Sequence, residues 1–287
     1  MINGLFLFLL TFPQASFDTT LSVRPDTRLE AMASAGSIVI RVWEQSAVRI
    51  AARPERGAVV SAVLDGAVLR VNARVPGGGI DLVDYEITVP RRMNLTLGRN
   101  DVDIIVHGTE GSVNAIITSG RIEITGGRGD LSLRSLRGPI IVTGARATVI
   151  AESSTDSVTL RDVVGDVQAK SNSHHVTLTE VDSRNLRASS IAGVIQFSGP
   201  LHEDGRYTLT SHSGSVFVRT PVPVNATVAV ATVGGAFASP LPYTVTERRR
   251  TNIFTARFGN GGAQVSLESF SGGLILEELK PAGNRPM

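Results

Sequence analysis

The chain contains no cysteine, which excludes disulfides, thiolate metal sites, cysteine nucleophiles and a lipidated cysteine anchor. It has almost no lysine: only Lys170 and Lys280 carry an ammonium group, so its basic residues are nearly all arginine. A formal charge of +2 over 287 residues gives no argument for nucleic acid or an anionic membrane as partner. Arg248, Arg249 and Arg250 form the one basic run, beside Glu247 and between two strand-like stretches, and read as a solvated hairpin tip. Long apolar stripes at i, i+3, i+4 spacing are missing, so amphipathic helices are not expected. There is no Gly-x-Ser-x-Gly elbow, phosphate-binding loop or His-Glu-x-x-His motif. Accordingly no catalytic, cofactor-binding or metal-ligating residue is assigned, and no cofactor is expected.

What the chain does have is 42% hydrophobic residues against 19% charged ones, enough to fold, with 29 glycines and abundant Val, Ile and Thr. These favour short strands joined by tight turns, an all-β fold. Leu5 to Phe12 is an apolar run too short to span a bilayer and is followed by Pro13-Gln14-Ala15-Ser16, which resembles a signal-peptide cleavage region. Residues 1–16 are therefore expected to be a leader, the mature chain to be exported to the periplasm, envelope or cell surface, and no later segment to span a membrane.

Residues 17–90 are strand-like but irregular, with turn signals at Glu44-Gln45, Pro54 to Gly57, Asp65-Gly66 and Pro76 to Gly79, and are expected to form an N-terminal β cap. Beyond Pro90 the sequence becomes periodic. Leu95, Val113, Leu131, Val149 and Val167 lie 18 residues apart, followed by Leu186 and Tyr207, and a second strand starts nine residues after each at Ile104, Ile122, Ile140, Val158, Val176, Ile195 and Val216. In all 14 strands the first and third positions are apolar, while the residues between them, such as Asn114, Glu123, Ser132, Thr159 and Thr177, are mostly polar. One face is buried and one is wet. A meander would tolerate unequal strand and turn lengths; strands stacked about 4.8 Å apart in a β-solenoid (β-helix) require nearly equal ones, so residues 91–280 are expected to be a solenoid of 18-residue, two-strand turns.

Two further columns support stacking. Ser135, Ser153, Ser171, Ser190 and Ser211 follow the first-strand starts by four residues, placed for a ladder of hydroxyls along one corner. Gly120, Gly138, Asp156, His174, Gly193 and Gly214 precede the second strands by two, a column suited to positive φ. Tyr243 to Phe258 reads as an inserted hairpin, Val265 to Leu276 as a terminal repeat with its own Ser269 and Gly272, and 281–287 as a frayed tail.

Gly36-Ser37-Ile38-Val39-Ile40 leading to Trp43, Asp84-Tyr85-Glu86-Ile87-Thr88-Val89-Pro90, and turns such as Thr118-Ser119-Gly120-Arg121-Ile122 carry a resemblance to the bacterial putative-adhesin family of β-strand-repeat envelope proteins. The resemblance covers nearly everything after the leader. It implies an exported β-helical fold with an envelope or adhesion role, and it supplies no catalytic residues. Ser173-His174-His175, Ile191-Ala192-Gly193 and the 243–258 insertion depart from the pattern.

Four chemical readings compete with a plain scaffold. Gly126-Gly127-Arg128-Gly129-Asp130 approaches a calcium-binding nonapeptide but has its aspartate one residue early and occurs once. Asp156 with His174, and Asp162 with Glu180, fall in shared columns where a hydrogen bond or a shared cation is conceivable. Polysaccharide-active β-helix enzymes need long loops walling a groove, and these turns are short; a Thr-rich ice-binding face has only Thr159 and Thr177 adjacent. The sequence thus favours a non-enzymatic exported scaffold binding an envelope glycan or protein through its surface, over a carbohydrate-active lyase or hydrolase, and leaves the oligomeric state open.

Overall fold

The alternation of apolar and polar residues calls for each strand to turn one row of side chains inward, and the computed structural model, which describes residues 17–280 other than Arg56, does this in most of its strands. The expected leader at 1–16 and tail at 281–287 lie outside the described residues. The first strands are β1 (Phe17–Ser22), β2 (Arg28–Trp43), β3 (Ala47–Pro54), β4 (Val59–Asp65), β5 (Val68–Arg74) and β6 (Leu82–Pro90). Next come β7 (Leu95–His107), β8 (Val113–Ser119), β9 (Ile122–Thr125), β10 (Leu131–Arg137), β11 (Ile140–Thr143), β12 (Val149–Ser153) and β13 (Val158–Val164). They continue as β14 (Val167–Ser171), β15 (Val176–Asp182), β16 (Asn185–Ser190), β17 (Ile195–Ser198), β18 (Arg206–Ser211) and β19 (Val216–Thr220). The last are β20 (Ala226–Thr232), β21 (Phe237–Ala238), β22 (Thr244–Arg250), β23 (Ile253–Phe258), β24 (Ala263–Ser269) and β25 (Leu274–Glu278). All 25 belong to one connected sheet. Among the described residues no helix is long and apolar enough to cross a membrane.

Two ladders of parallel strands run through the middle of the chain. The first joins β7, β8, β10, β12, β14, β16 and β18; the second joins β7, β9, β11, β13, β15, β17 and β19. Val158 faces Val176 and Leu160 faces Leu178 in parallel register, which rules out an antiparallel meander here. Every one of the 28 first and third positions singled out in the sequence is buried. Like side chains therefore stack on like, Ile104 on Ile122 on Ile140, in one continuous core. Burial of each such aliphatic side chain stabilises by about 1.5–3 kcal/mol, which is what holds strands as short as four residues in place. We call one first-ladder strand with its second-ladder successor a tier.

The tier pattern extends into residues that look irregular in sequence. Leu29 and Ile38 of β2 are nine residues apart and face Leu95 and Ile104 of β7, so β2 spans both ladders as β7 does. Its other edge receives β5 at Leu29 and β6 at Ile38, both parallel. Beyond these, direction reverses: β4 pairs with β5, β3 with β6, and β1 with β3, all antiparallel.

The C-terminal order differs from the sequence order. β24 and β25, expected to form the terminal tier, lie between the β18/β19 tier and the β20/β21 tier: Val265 faces both Tyr207 and Val228, and Leu274 faces both Val216 and Phe237. The chain leaves a tier-wide gap after β19, builds β20 and β21, reverses through the antiparallel hairpin β22–β23, and returns to fill the gap. The hairpin of β22 and β23 pairs through β23 with β20 and covers its edge. Phe237, Tyr243, Phe254 and Phe258 cluster beside it with ring centroids 5.3–5.8 Å apart, a tilted and edge-on packing that closes this end of the core.

Deleting one tier's length, 149–166, should leave a cooperatively folding chain, because every remaining strand keeps its partner type. Deleting only 149–157 should abolish the cooperative thermal transition, since a first-ladder edge then meets a second-ladder edge. Equal melting behaviour of the two deletions would count against the register.

Candidate binding groove

The corner between the two ladders is built by hydroxyls. Ser153, Ser171, Ser190, Ser211 and Ser269 are buried, and each Oγ donates to a carbonyl of the preceding tier: Gly138, Asp156, His174, Gly193 and Gly214, at 2.8–3.1 Å. The same Oγ accepts the N–H three residues on, at Asp156, His174, Gly193, Gly214 and Gly272. The serines therefore do not chain hydroxyl to hydroxyl; each bridges two backbone groups that the turn would otherwise leave unpaired. Thr232 fills the same place in the β20/β21 tier, accepting from the Gly235 N–H at 3.1 Å, which the sequence register did not reveal. Ser135 Oγ, by contrast, is buried with no partner.

The glycine column has a different cause from the one expected. Positive φ occurs at Gly120 (+97°) and Gly138 (+136°) but not at Asp156, His174, Gly193 or Gly214. What Gly193, Gly214 and Gly272 require is room: a Cβ there would come within 1.9–2.2 Å of the carbonyl oxygen of His174, Gly193 and Gly214 respectively. Backbone of one tier lies against backbone of the next at this corner. Asp156 and His174 keep side chains because theirs point outward from this turn, where Asp156 Oδ1 accepts from the Ser157 N–H at 2.6 Å.

Several of the residues singled out for chemistry have structural partners. Asp156 is engaged by Ser157 and makes no hydrogen bond to His174. Asp162 and Glu180, both at positive φ (+49° and +56°), share a column, but the Asp162 carboxylate faces the Arg146 guanidinium at 3.2 Å. His175 Nδ1 accepts the Val194 N–H, and His202 Nε2 lies 2.5 Å from Asp182. Tyr207 ties the same turn together, its hydroxyl donating to the Ser183 carbonyl (2.7 Å) and accepting from the His202 N–H (2.8 Å); burial raises its pKa above the ordinary tyrosine value. Arg248 to Arg250 lie on β22, next to the hairpin turn, with Arg249 paired to Glu247 and Arg248 over the Phe254 ring.

Immediately outside the hydroxyl ladder, one residue further along, the last four tiers carry Ile191, His212, Phe270 and Val233. Backbone hydrogen bonds step from one to the next: Ser213 N–H to Ile191 O, Phe270 N–H to His212 O and Val233 N–H to Phe270 O. Ile191, Phe270 and Val233 are more than half exposed, and His212 and Phe270 stack face to face with centroids 5.0 Å apart. Together they make a ridge along the molecule. Beside it lies a groove of about 530 Å³ whose other side carries Ser189, Thr210, Glu268 and Ala231, themselves in register from tier to tier, with Ile253 of the hairpin also lining it. The sequence reading missed this ridge, because Phe270 is 58 residues from His212 and they become neighbours only through the returned last tier.

No protein-family profile matches the chain, and no curated protein does. Solved structures similar to it include a putative lipid binding protein from Parabacteroides distasonis, at 10% identity and TM-score 0.44 over 92% of this chain and 97% of that one. A putative adhesin from Bacteroides fragilis aligns at 10% identity and TM-score 0.38 over 93% and 98% of the two chains. A putative cell adhesion protein from Clostridium sporogenes aligns at 9% identity and TM-score 0.27 over 92% and 100%. These likenesses are too distant to assign the chain a family, a ligand or a partner.

Two pairs of substitutions separate the roles at the corner. Ser171→Ala should cost about 1 kcal/mol, because it strands the part-buried Asp156 carbonyl and His174 N–H, whereas Ser135→Ala should be neutral or stabilising. Gly193→Ala should cost about 3 kcal/mol, while His174→Gly should cost less than about 1 kcal/mol, an entropic loss without relief of any strain. Denaturant titrations of the four variants check both orderings.

Proposed function

We propose that the chain is an exported, non-enzymatic β-solenoid scaffold of the cell envelope that binds another macromolecule through the ridge and groove of its last four tiers. In this reading 1–16 is a removable leader, 17–90 provides the cap, 91–280 the solenoid with its hairpin at 243–258, and 281–287 a tail. No residue is assigned a catalytic, cofactor or metal role. The observation that carries it is the run of exposed Ile191, His212, Phe270 and Val233 on four successive tiers, since contiguous apolar surface costs solubility unless a partner covers it.

A protein partner suits this surface better than a glycan. Sugars dock by laying a C–H face on the open face of an aromatic ring, but His212 and Phe270 each have one face covered by the other. Ser189, Thr210 and Glu268 across the groove supply hydrogen-bonding groups that fix a partner's direction along the tiers.

The test is a screen of the purified full chain against blotted envelope proteins and arrayed glycans, run beside an Ile191→Ser/Phe270→Ser variant. Both positions are exposed, so its melting temperature should match the wild type. A protein ligand weakened at least about tenfold by the double substitution supports the reading. A glycan ligand, no ligand at all, or equal binding by the variant counts against it.

A further inference from the structure

Among the described residues the two ladders end in four strands with a free edge, and three are guarded. β22 is exposed along its whole length, breaks register with β23 twice, and carries Glu247, Arg248, Arg249 and Arg250. β21 is two residues long. β1 bears Asp18, ion-paired with Arg49 at 2.8 Å. Charge, bulging and shortness are the devices that keep an edge from accepting another strand.

β4 is neither short nor bulged, and its one charge, Asp65, stands at its last position, paired with Arg70 of β5 at 2.9 Å. Its first six residues, Val59-Val60-Ser61-Ala62-Val63-Leu64, carry no charge, proline or glycine, and the strand pairs with β5 from Val59 to Asp65 without a register shift. Among the described residues β5 is its one strand partner, so alternate N–H and C=O groups of β4 point away from the sheet. Val59, Val63 and Leu64 are 44–56% exposed, and because Val63 and Leu64 point to opposite sides, both faces of the strand are open there. Left bare, such a segment is a template for uncontrolled strand addition.

The ladders also end unevenly. Past β2 the second ladder continues through β6, β3 and β1, while the first continues only through β5 and β4. The inward residues of β3, Val48, Ile50 and Ala52, are buried, but Phe17 and Leu21 of β1 are only partly covered. The first ladder is one strand short at this end.

We infer that the free edge of β4 is a docking site for an extended segment of a partner polypeptide, which adds antiparallel to β4 as one further strand and covers Phe17 and Leu21. The segment this edge accepts is free of proline and alternates apolar side chains, turned inward, with polar ones turned to water. The backbone ladder supplies the affinity and the half-covered β1 side chains the selectivity. This site is at the opposite end of the molecule from the ridge and stands or falls separately from it.

The probe is a fluorophore-labelled peptide with the sequence of β5, Val-Leu-Arg-Val-Asn-Ala-Arg, which has this alternation and already matches the other edge of β4. Titrated with the full chain, it should give saturable anisotropy with a dissociation constant below about 1 mM. The same peptide N-methylated at alternate residues, which keeps its side chains but loses the donors, should bind at least about tenfold more weakly, as should the wild-type peptide to a Val63→Lys/Leu64→Lys chain with unchanged melting temperature. Absence of binding, or equal binding of the N-methylated peptide, overturns the inference. So does sedimentation showing that the chain self-associates and that the lysine substitutions dissociate it, which makes the occupant a second copy.

Discussion

The structure depends on backbone meeting backbone at the corner between the ladders. Parallel in-register pairing on both ladders fixes the length of chain around each tier, and the corner is where that length is measured out. A serine hydroxyl reaches back to the previous tier's carbonyl and forward to an N–H three residues on, so one side chain ties the turn both to its neighbour and to itself. The next residues then lie so close to the preceding backbone that a Cβ at Gly214 or Gly272 would fall 2.1–2.2 Å from a carbonyl oxygen of the neighbouring tier. Surface ion pairs between tiers, such as Arg134 with Glu152 at 3.2 Å, add little to this, being exposed and screened.

The same constraint explains the ends. A parallel tier presents a full row of donors and acceptors, so a stack cannot stop without an exposed template. At one end the direction reverses through β3 and β4; at the other it reverses through β23 and β22, backed by the Phe237, Tyr243, Phe254 and Phe258 cluster. Antiparallel strands leave the repeating register, so a further tier cannot continue it.

Local signals were readable in the sequence and spatial order was not. The inward positions, the serine corner and the hairpin each leave a mark within a few residues: alternation, a fixed offset, a pair of strand-like runs around a turn. The place of β2 did not, since its Leu29/Ile38 pair lies 66 residues before Leu95/Ile104 with the four strands β3 to β6 between. Nor did the order of the last tiers, because every tier carries the same pattern and periodicity cannot tell which stacks on which. The glycines were read as a demand for positive φ when at Gly193 and beyond the demand is for close approach; both constraints select the same residue, so composition alone could not separate them.

The ridge inherits this dependence on order. Ile191 and His212 belong to adjacent tiers in sequence, but Phe270 and Val233 join them only because β24 enters between β18 and β20. Until residues 263–278 enter, β18 and β20 each present an uncovered parallel edge, and the gap between them is bordered by Ser211 and Thr232 without the Ser269 that lies between. Closing it requires contacts such as the Ser269 hydroxyl on the Gly214 carbonyl, across 55 residues, with the hairpin β22–β23 within the loop that these contacts close. The apolar surface thus depends on the same strand, β24, that supplies the hydrogen bonding beneath it.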